Sequence, residues 1–143
     1  MSNGNLNILL VDDDEVDVMN VQRAFRKIQL EYPLYIARNG MDALRLLRGE
    51  QAQESIVPRD HLMVLLDINM PKMNGLEFLQ ELRADPELRS IVVIVLTTSD
   101  DAHDRTEAYR LNVAGYIIKP LAFSSFVDAM ATLNQYWELN EVG

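Results

Sequence analysis

Four consecutive acids, Asp12-Asp13-Asp14-Glu15, follow the apolar run 6–11, and a lone acid, Asp67, follows a second run at 62–66. Thr97-Thr98-Ser99 closes a third run, 91–96, and Lys119 closes a fourth, 115–118. Carboxylates can ligate hard cations or accept a phosphoryl group as an acyl phosphate. Three or more of them in one crevice raise one another's pKa unless a cation is present, and Mg²⁺ is the simplest such ion. A lysine then adds a second positive charge and a hydroxyl adds a donor. Phosphoryl transfer needs this kind of charge neutralisation and positioning more than it needs covalent help. In that chemistry Asp67, the isolated acid, is the best phosphoacceptor, while Asp12 and Asp13 hold metal and Asp14 stays open as a third ligand. Each residue also has a plainer role: Asp67 as a turn residue, the acidic run as a helix cap with favourable first-turn charges, the hydroxyls as caps, and Lys119 as a solvated rim residue.

The chemistry requires these residues to meet, so the elements carrying them matter. Runs 6–11, 33–37, 62–66, 91–96 and 115–118 are too short for ordinary helices and rich in β-formers, which predicts five strands, the third buried on both faces. Between them, Val18, Val21, Phe25 and Ile28 recur at helical spacing, as do Ala43, Leu44 and Leu47, then Leu76, Leu79 and Leu82. A weakly apolar helix is expected over 101–111, chiefly through Tyr109 and Leu111, and should be the least firmly docked. A last helix starting at Ser124 or Ser125 carries Phe126, Val127, Met130, Leu133 and Trp137. Strand-helix alternation predicts an α/β fold, an open parallel sheet covered on both faces. Ligands of such sheets sit beyond the carboxyl ends of the strands, where Asp12, Asp13, Asp67, Thr97 and Lys119 all fall. Lys119 precedes Pro120, where a cis bond is possible and a fixed position for the lysine is expected. Segment 50–61 is polar, carries Pro58, and reads as an extended surface loop; His61 and His103 read as solvated.

Composition bounds the rest. A length of 143 residues with 48% hydrophobic content suits one domain, 1–143, with its core at about 6–137. Without cysteine there are no disulfides and no thiolate chemistry. A net charge of −9 argues against nucleic acid or an anionic membrane as partner. Neither a signal peptide nor a membrane span is visible, so a soluble, cytoplasmic protein is expected.

Val11-Asp12-Asp13, Asp67-Ile68-Asn69-Met70-Pro71 with Asn74-Gly75, Thr97, and Tyr116 through Lys119-Pro120 together resemble the receiver domain of two-component response regulators. The resemblance spans about residues 6–137 and leaves no room for an output domain. It implies a five-stranded flavodoxin-like fold and a non-enzymatic phosphoacceptor that assists its own phosphorylation and dephosphorylation. It also implies that Asp67 takes phosphate from a histidine kinase, and that Asp13 and Asp67 bind Mg²⁺ with the Asn69 backbone carbonyl. Asp12 then acts partly through water, Lys119 grips the phosphoryl group, and Thr97 with Tyr116 forms the switch. Two departures stand out: Thr98 where the family usually has a very small residue, which should narrow access to Asp67, and the long loop at 50–61. Both, with Tyr136-Trp137, are similar to single-domain regulators paired with bacterial phytochrome-type kinases.

Other classes fit less well. A Mg²⁺-dependent phosphatase of the haloacid dehalogenase type normally has an acid two residues after its nucleophile, where this chain has Asn69. A flavodoxin-like FMN carrier needs a hydroxyl- and glycine-rich phosphate loop after the first strand, where this chain has acids. A receiver reduced to a binding module would lack part of the set. The signal is expected to leave through the face made by helix 101–111, strand 115–118 and the last helix, as a homodimer, since Phe123, Val127 and Tyr136 need burial or a partner.

Overall fold

Alternating apolar runs and amphipathic segments resolve, in a computed structural model, into strands β1 (Asn7–Val11), β2 (Leu34–Ala37), β3 (Leu62–Leu66), β4 (Val92–Thr97) and β5 (Gly115–Ile118). The helices between them are α1 (Glu15–Lys27), α2 (Gly40–Arg48), α3 (Gly75–Ala84), α4 (Ala102–Arg110) and α5 (Phe123–Leu139). The structure describes residues 6–49, 57–119 and 122–139, the last four by their backbone alone. All strand pairs are parallel, in the order β2-β1-β3-β4-β5. The expected α/β architecture is therefore the one observed.

Side chains alternate across each strand, and that alternation divides the core in two. Leu9 and Val11, Leu62, Val64 and Leu66, and Val93 and Val95 face one side, where Ala43, Leu44 and Leu47 of α2, Phe78, Leu79 and Leu82 of α3, and Ala108 of α4 cover them. Ile8 and Leu10, Met63 and Leu65, and Ile94 and Leu96 face the other, under Val18, Val21, Ala24 and Phe25 of α1 and Phe126, Met130 and Leu133 of α5. Strand β3, central and covered twice, is buried at every residue, which is why its sequence shows no polar alternation. Among the described residues no helix is long and apolar enough to cross a membrane.

The helix starts are fixed by side chains that satisfy free backbone N–H groups. The Asp14 carboxylate caps α1 by accepting from Val16 N (2.8 Å) and Asp17 N (3.4 Å). Asn39 caps α2 and Asp101 caps α4. Asn74 and Glu77 form a reciprocal capping box at α3, each bond 2.9 Å.

Several details depart from the sequence pattern. Phe78, absent from the apolar stripe read for its helix, is fully buried, and Leu76 is only packed against the core's edge. In α4 it is Ala108 that is buried, with Leu111 beyond the helix end half-buried, whereas Tyr109 is 48% exposed. The expectation of a thinly docked helix stands, but on a smaller residue. The described end of the long loop is anchored rather than extended: Val57 is buried with α2 and α3, and Arg59 donates to the Leu47 carbonyl (2.9 Å). Residues 50–56 of that loop and the Lys119-Pro120 peptide lie outside the described residues. The last helix starts at Phe123. Phe123 and Val127 are half-buried against the α1–α5 core, and the Arg23 guanidinium lies 4.3 Å from the Phe123 ring centre, so the chain itself supplies cover for both. The side chains of Tyr136 and Trp137 are outside the described set.

Candidate functional site

The sheet ladder runs one residue past each strand and thereby fixes the backbones that carry the charges. Asp12 N–H donates to the Ala37 carbonyl (3.0 Å), Asp67 N–H to the Val11 carbonyl (2.9 Å), and Lys119 N–H to the Thr97 carbonyl (2.8 Å). Asp12, Asp67 and Lys119 continue the alternation of Leu10, Leu65 and Ile117, the side covered by α1 and α5. Their side chains meet there. Lys119 Nζ donates to Asp12 Oδ2 at 2.8 Å, to Asp17 Oδ2 at 2.5 Å and to Asp67 Oδ2 at 3.4 Å. One carboxylate oxygen each from Asp12, Asp13 and Asp67 lies within 4.8 Å of the others.

Of the four acids at the end of β1, two belong to this pocket. Asp12 is buried and Asp13 exposed at its mouth. Asp14 is the α1 cap, the plain role read for the run, and Glu15 pairs with Arg38 at the end of β2. Asp67 Oδ1 accepts from Asn69 N–H (3.3 Å), so the turn after β3 also holds the acid's orientation. Gly75 opens α3 directly beneath that turn, its N–H donating to the Ile68 carbonyl at 2.9 Å. Thr97 is fully buried at the end of β4, and its Oγ1 accepts from Ser99 N–H (3.2 Å). Thr98, beside it, is exposed. Tyr116 stands apart from the carboxylates: its hydroxyl donates to the Ser99 carbonyl (3.0 Å), and the Arg105 guanidinium lies 5.3 Å from its ring centre. His61 and His103 are exposed and outside the pocket.

Asp17 is the pocket residue that the sequence reading did not single out. Its position carried a signal nonetheless. It shares the helical stripe of Val21 and Ala24, both buried, so an acid there faces the sheet rather than solvent.

Burial penalises the charge on Asp12 and pushes its pKa from 3.8 up to about 6, against the opposing hydrogen bonds from Lys119 and from Asp14 N–H. Burial works against the Lys119 charge as well, but hydrogen bonds to Asp12 and Asp17 outweigh it and hold the ammonium above its ordinary pKa. At neutral pH both groups are charged. The oxygen-only donor set, with one buried and one solvent-facing acid flanking Asp67, fits a hard divalent cation. A pH dependence follows. A carboxyl whose folded pKa lies above its unfolded value stabilises the metal-free fold below the unfolded pKa, and that contribution is lost as pH rises through the folded one. Urea unfolding should therefore show Asp12→Asn gaining stability relative to the wild type as pH rises from 3.8 through about 6. A constant difference across that window would contradict the burial of the charge.

The model of the response regulator receiver domain family matches residues 8–131. The probable methanogenesis regulatory protein FilR2 of Methanothrix harundinacea (strain 6Ac) is 37% identical over 130 residues, covering 91% of this chain and 82% of FilR2. Response regulator Rcp1 of Synechocystis sp. (strain ATCC 27184 / PCC 6803 / Kazusa) is 34% identical over 130 residues, covering 91% of this chain and 87% of Rcp1. The crystal structure of a Mn²⁺-bound form of response regulator Rcp1 superimposes with a TM-score of 0.85 at 31% identity, over 96% of this chain and 99% of that one. The phosphorylated cyanobacterial phytochrome response regulator RcpA superimposes with a TM-score of 0.84 at 32% identity, over 96% and 97% of the two chains. Nothing among these matches supports a phosphatase of the haloacid dehalogenase type. With the strand order, the acid pocket at the carboxyl edge and the lysine that spans it, they show that this chain belongs to the response regulator receiver domain family.

Proposed function

We propose that this protein is the phosphoacceptor of a His-Asp phosphorelay, taking a phosphoryl group from a histidine kinase onto Asp67. The observation that carries the reading is the convergence of Asp12, Asp13 and Asp67 around one buried lysine. In the transfer a carboxylate oxygen of Asp67 attacks phosphorus, the N–P bond of the donor phosphohistidine breaks, and the imidazole nitrogen keeps the electron pair. A hard divalent ion, Mg²⁺ in this reading, supplies charge neutralisation for the phosphoryl oxygens when bound. Asp12, Asp13, Asp67 and the Asn69 backbone carbonyl would hold it. The Lys119 ammonium donates to a phosphoryl oxygen, and the Thr97 hydroxyl, whose oxygen now accepts from Ser99, turns its own proton to another. That movement pulls on the Ser99 turn, to which Tyr116 is bonded. Tyr116 then changes position, and α4, with Ala108 as its buried residue, follows most easily.

A phytochrome-type photoreceptor kinase is the partner this reading favours, supported by the likeness to the phytochrome response regulator RcpA. The reading places the protein in the cytoplasm as a single receiver unit that signals through another chain. A homodimer across β5 and α5 is supported by the open edge of β5 and by a cavity of ≈ 380 Å³ beside it, lined by Ile94, Gly115, Ile117, Ala129 and Leu133. Acetyl phosphate with Mg²⁺ should add one phosphoryl group, seen by mass spectrometry, and the labelled protein should show altered hydrogen exchange in α4 and a dimer in sedimentation. Undiminished labelling in excess chelator would refute the metal-assisted chemistry. Unchanged exchange would refute the switch, and a monomer in both states at tens of micromolar, roughly the range of a weak interface, would refute the dimer.

A further inference from the structure

We infer that Asp17 is a positioning residue that competes with the phosphoryl group for Lys119, and so sets how strongly the pocket holds that group; this rests on the reading of Asp67 as phosphoacceptor. An ammonium has three protons to donate, and here all three are taken by carboxylates. They are not shared evenly. Nζ is 2.5 Å from Asp17, 2.8 Å from Asp12 and 3.4 Å from Asp67, so the lysine leans toward α1 and away from the acid whose phosphoryl group it must grip.

The three acceptors also differ in what else they serve. Asp12 and Asp67 belong to the oxygen set that fits a cation, whereas Asp17 is not one of the acids that could share it. A cation at the pocket draws Asp12 and Asp67 from the lysine but leaves the Asp17 pair intact. The lysine side chain is 7% exposed and Asp17's is 27%, so the pair is screened by water on one side only. Gripping a phosphoryl oxygen therefore requires Nζ to give up its shortest bond, or to stretch between two anions. Either weakens the hold. Because Asp17 lies in the first turn of α1, the same bond ties the start of that helix to the end of β5, and release of the lysine is felt there.

Trifluoroberyllate, which mimics a phosphoryl group on a carboxylate, is a suitable probe. It would be titrated calorimetrically into the 143-residue chain at saturating Mg²⁺, where differences in metal affinity do not enter. Asp17→Asn should bind it about five-fold more tightly than the wild type, the size expected for removing one partner of a charge pair that water screens from one side only. Asp17→Glu, which restores the carboxylate, should return toward the wild-type value. In the metal-free protein the ¹⁵N resonance of the Lys119 ammonium should shift in Asp17→Asn. Equal or weaker binding by Asp17→Asn overturns the inference, as does an unmoved lysine resonance. Failure of the wild-type protein to bind the probe at all overturns the Asp67 reading itself.

Discussion

Asp67→Asn should accept phosphate from acetyl phosphate at least roughly 100-fold more slowly than the wild type, because an amide oxygen is a poor nucleophile and cannot form the acyl phosphate. The substitution is nearly isosteric. Lys119 keeps Asp12 and Asp17 as partners, and loss of one carboxylate relieves repulsion among the others, so the metal-free fold should keep its stability. That contrast makes the result diagnostic. Asp12 and Asp13 lie within 4.8 Å and are the acids best placed to be labelled in its place. Asp12 is buried and bonded to the lysine, and Asp13 lacks the Asn69 N–H that orients Asp67. Mass spectrometry showing full incorporation at the wild-type rate would remove Asp67 from the centre of the site.

Gly75→Ala should damage the same site from behind. A Cβ on Gly75 would lie 2.4 Å from the Asp67 carbonyl oxygen and 2.8 Å from Ile68 Cα. Both neighbours are backbone, and both belong to the turn that leaves the central strand. Neither can rotate away as a side chain can, so either α3 or the turn must shift. The Gly75 N–H bond to the Ile68 carbonyl would be lost or stretched in the process. Overpacking of this kind costs about 1–3 kcal/mol, with the backbone position favouring the upper end. Urea unfolding measures that cost. Phosphorylation should slow as well, since displacement of a reacting group by about 1 Å is enough to cost on the order of 100-fold. A Gly75→Ala protein with wild-type stability and labelling rate would show that α3 does not buttress Asp67.

Much of the architecture was legible in the residues. Short β-rich runs between amphipathic stretches, with the acids, hydroxyl and lysine all at run ends, led to a parallel sheet and to one pocket at its carboxyl edge. The capping role weighed for the acidic run proved correct for Asp14, and Glu15 went to Arg38. Other assignments depended on packing. Tyr109 and Ala108 are neighbours on one helix, and composition favours the larger as the anchor, yet the alanine is the one that faces the core cluster while the tyrosine is 48% exposed. Val57 lies in a polar segment with no periodicity to mark it, and its burial comes from packing in the same core cluster as α2 and α3 rather than from any local pattern.

Local pattern was enough to establish the kinds of element, their order, the two-sided burial of the central strand and the set of charged residues delivered to the carboxyl ends of the strands. These follow from local rules, since periodicity and breakers report how a side chain points relative to its own strand or helix. Which elements stand opposite one another is a property of the folded chain. Asp17 and Lys119 are 102 residues apart, and nothing local to either residue indicates the other. Their meeting depends on the strand order placing β5 at one edge while α1 and α5 share a face. The register then brings Asp12, Asp67 and Lys119 out on that same face. A one-residue slip of any of these strands would turn its terminal charge to the opposite side of the sheet, so the pocket depends on the register in which the strands pair.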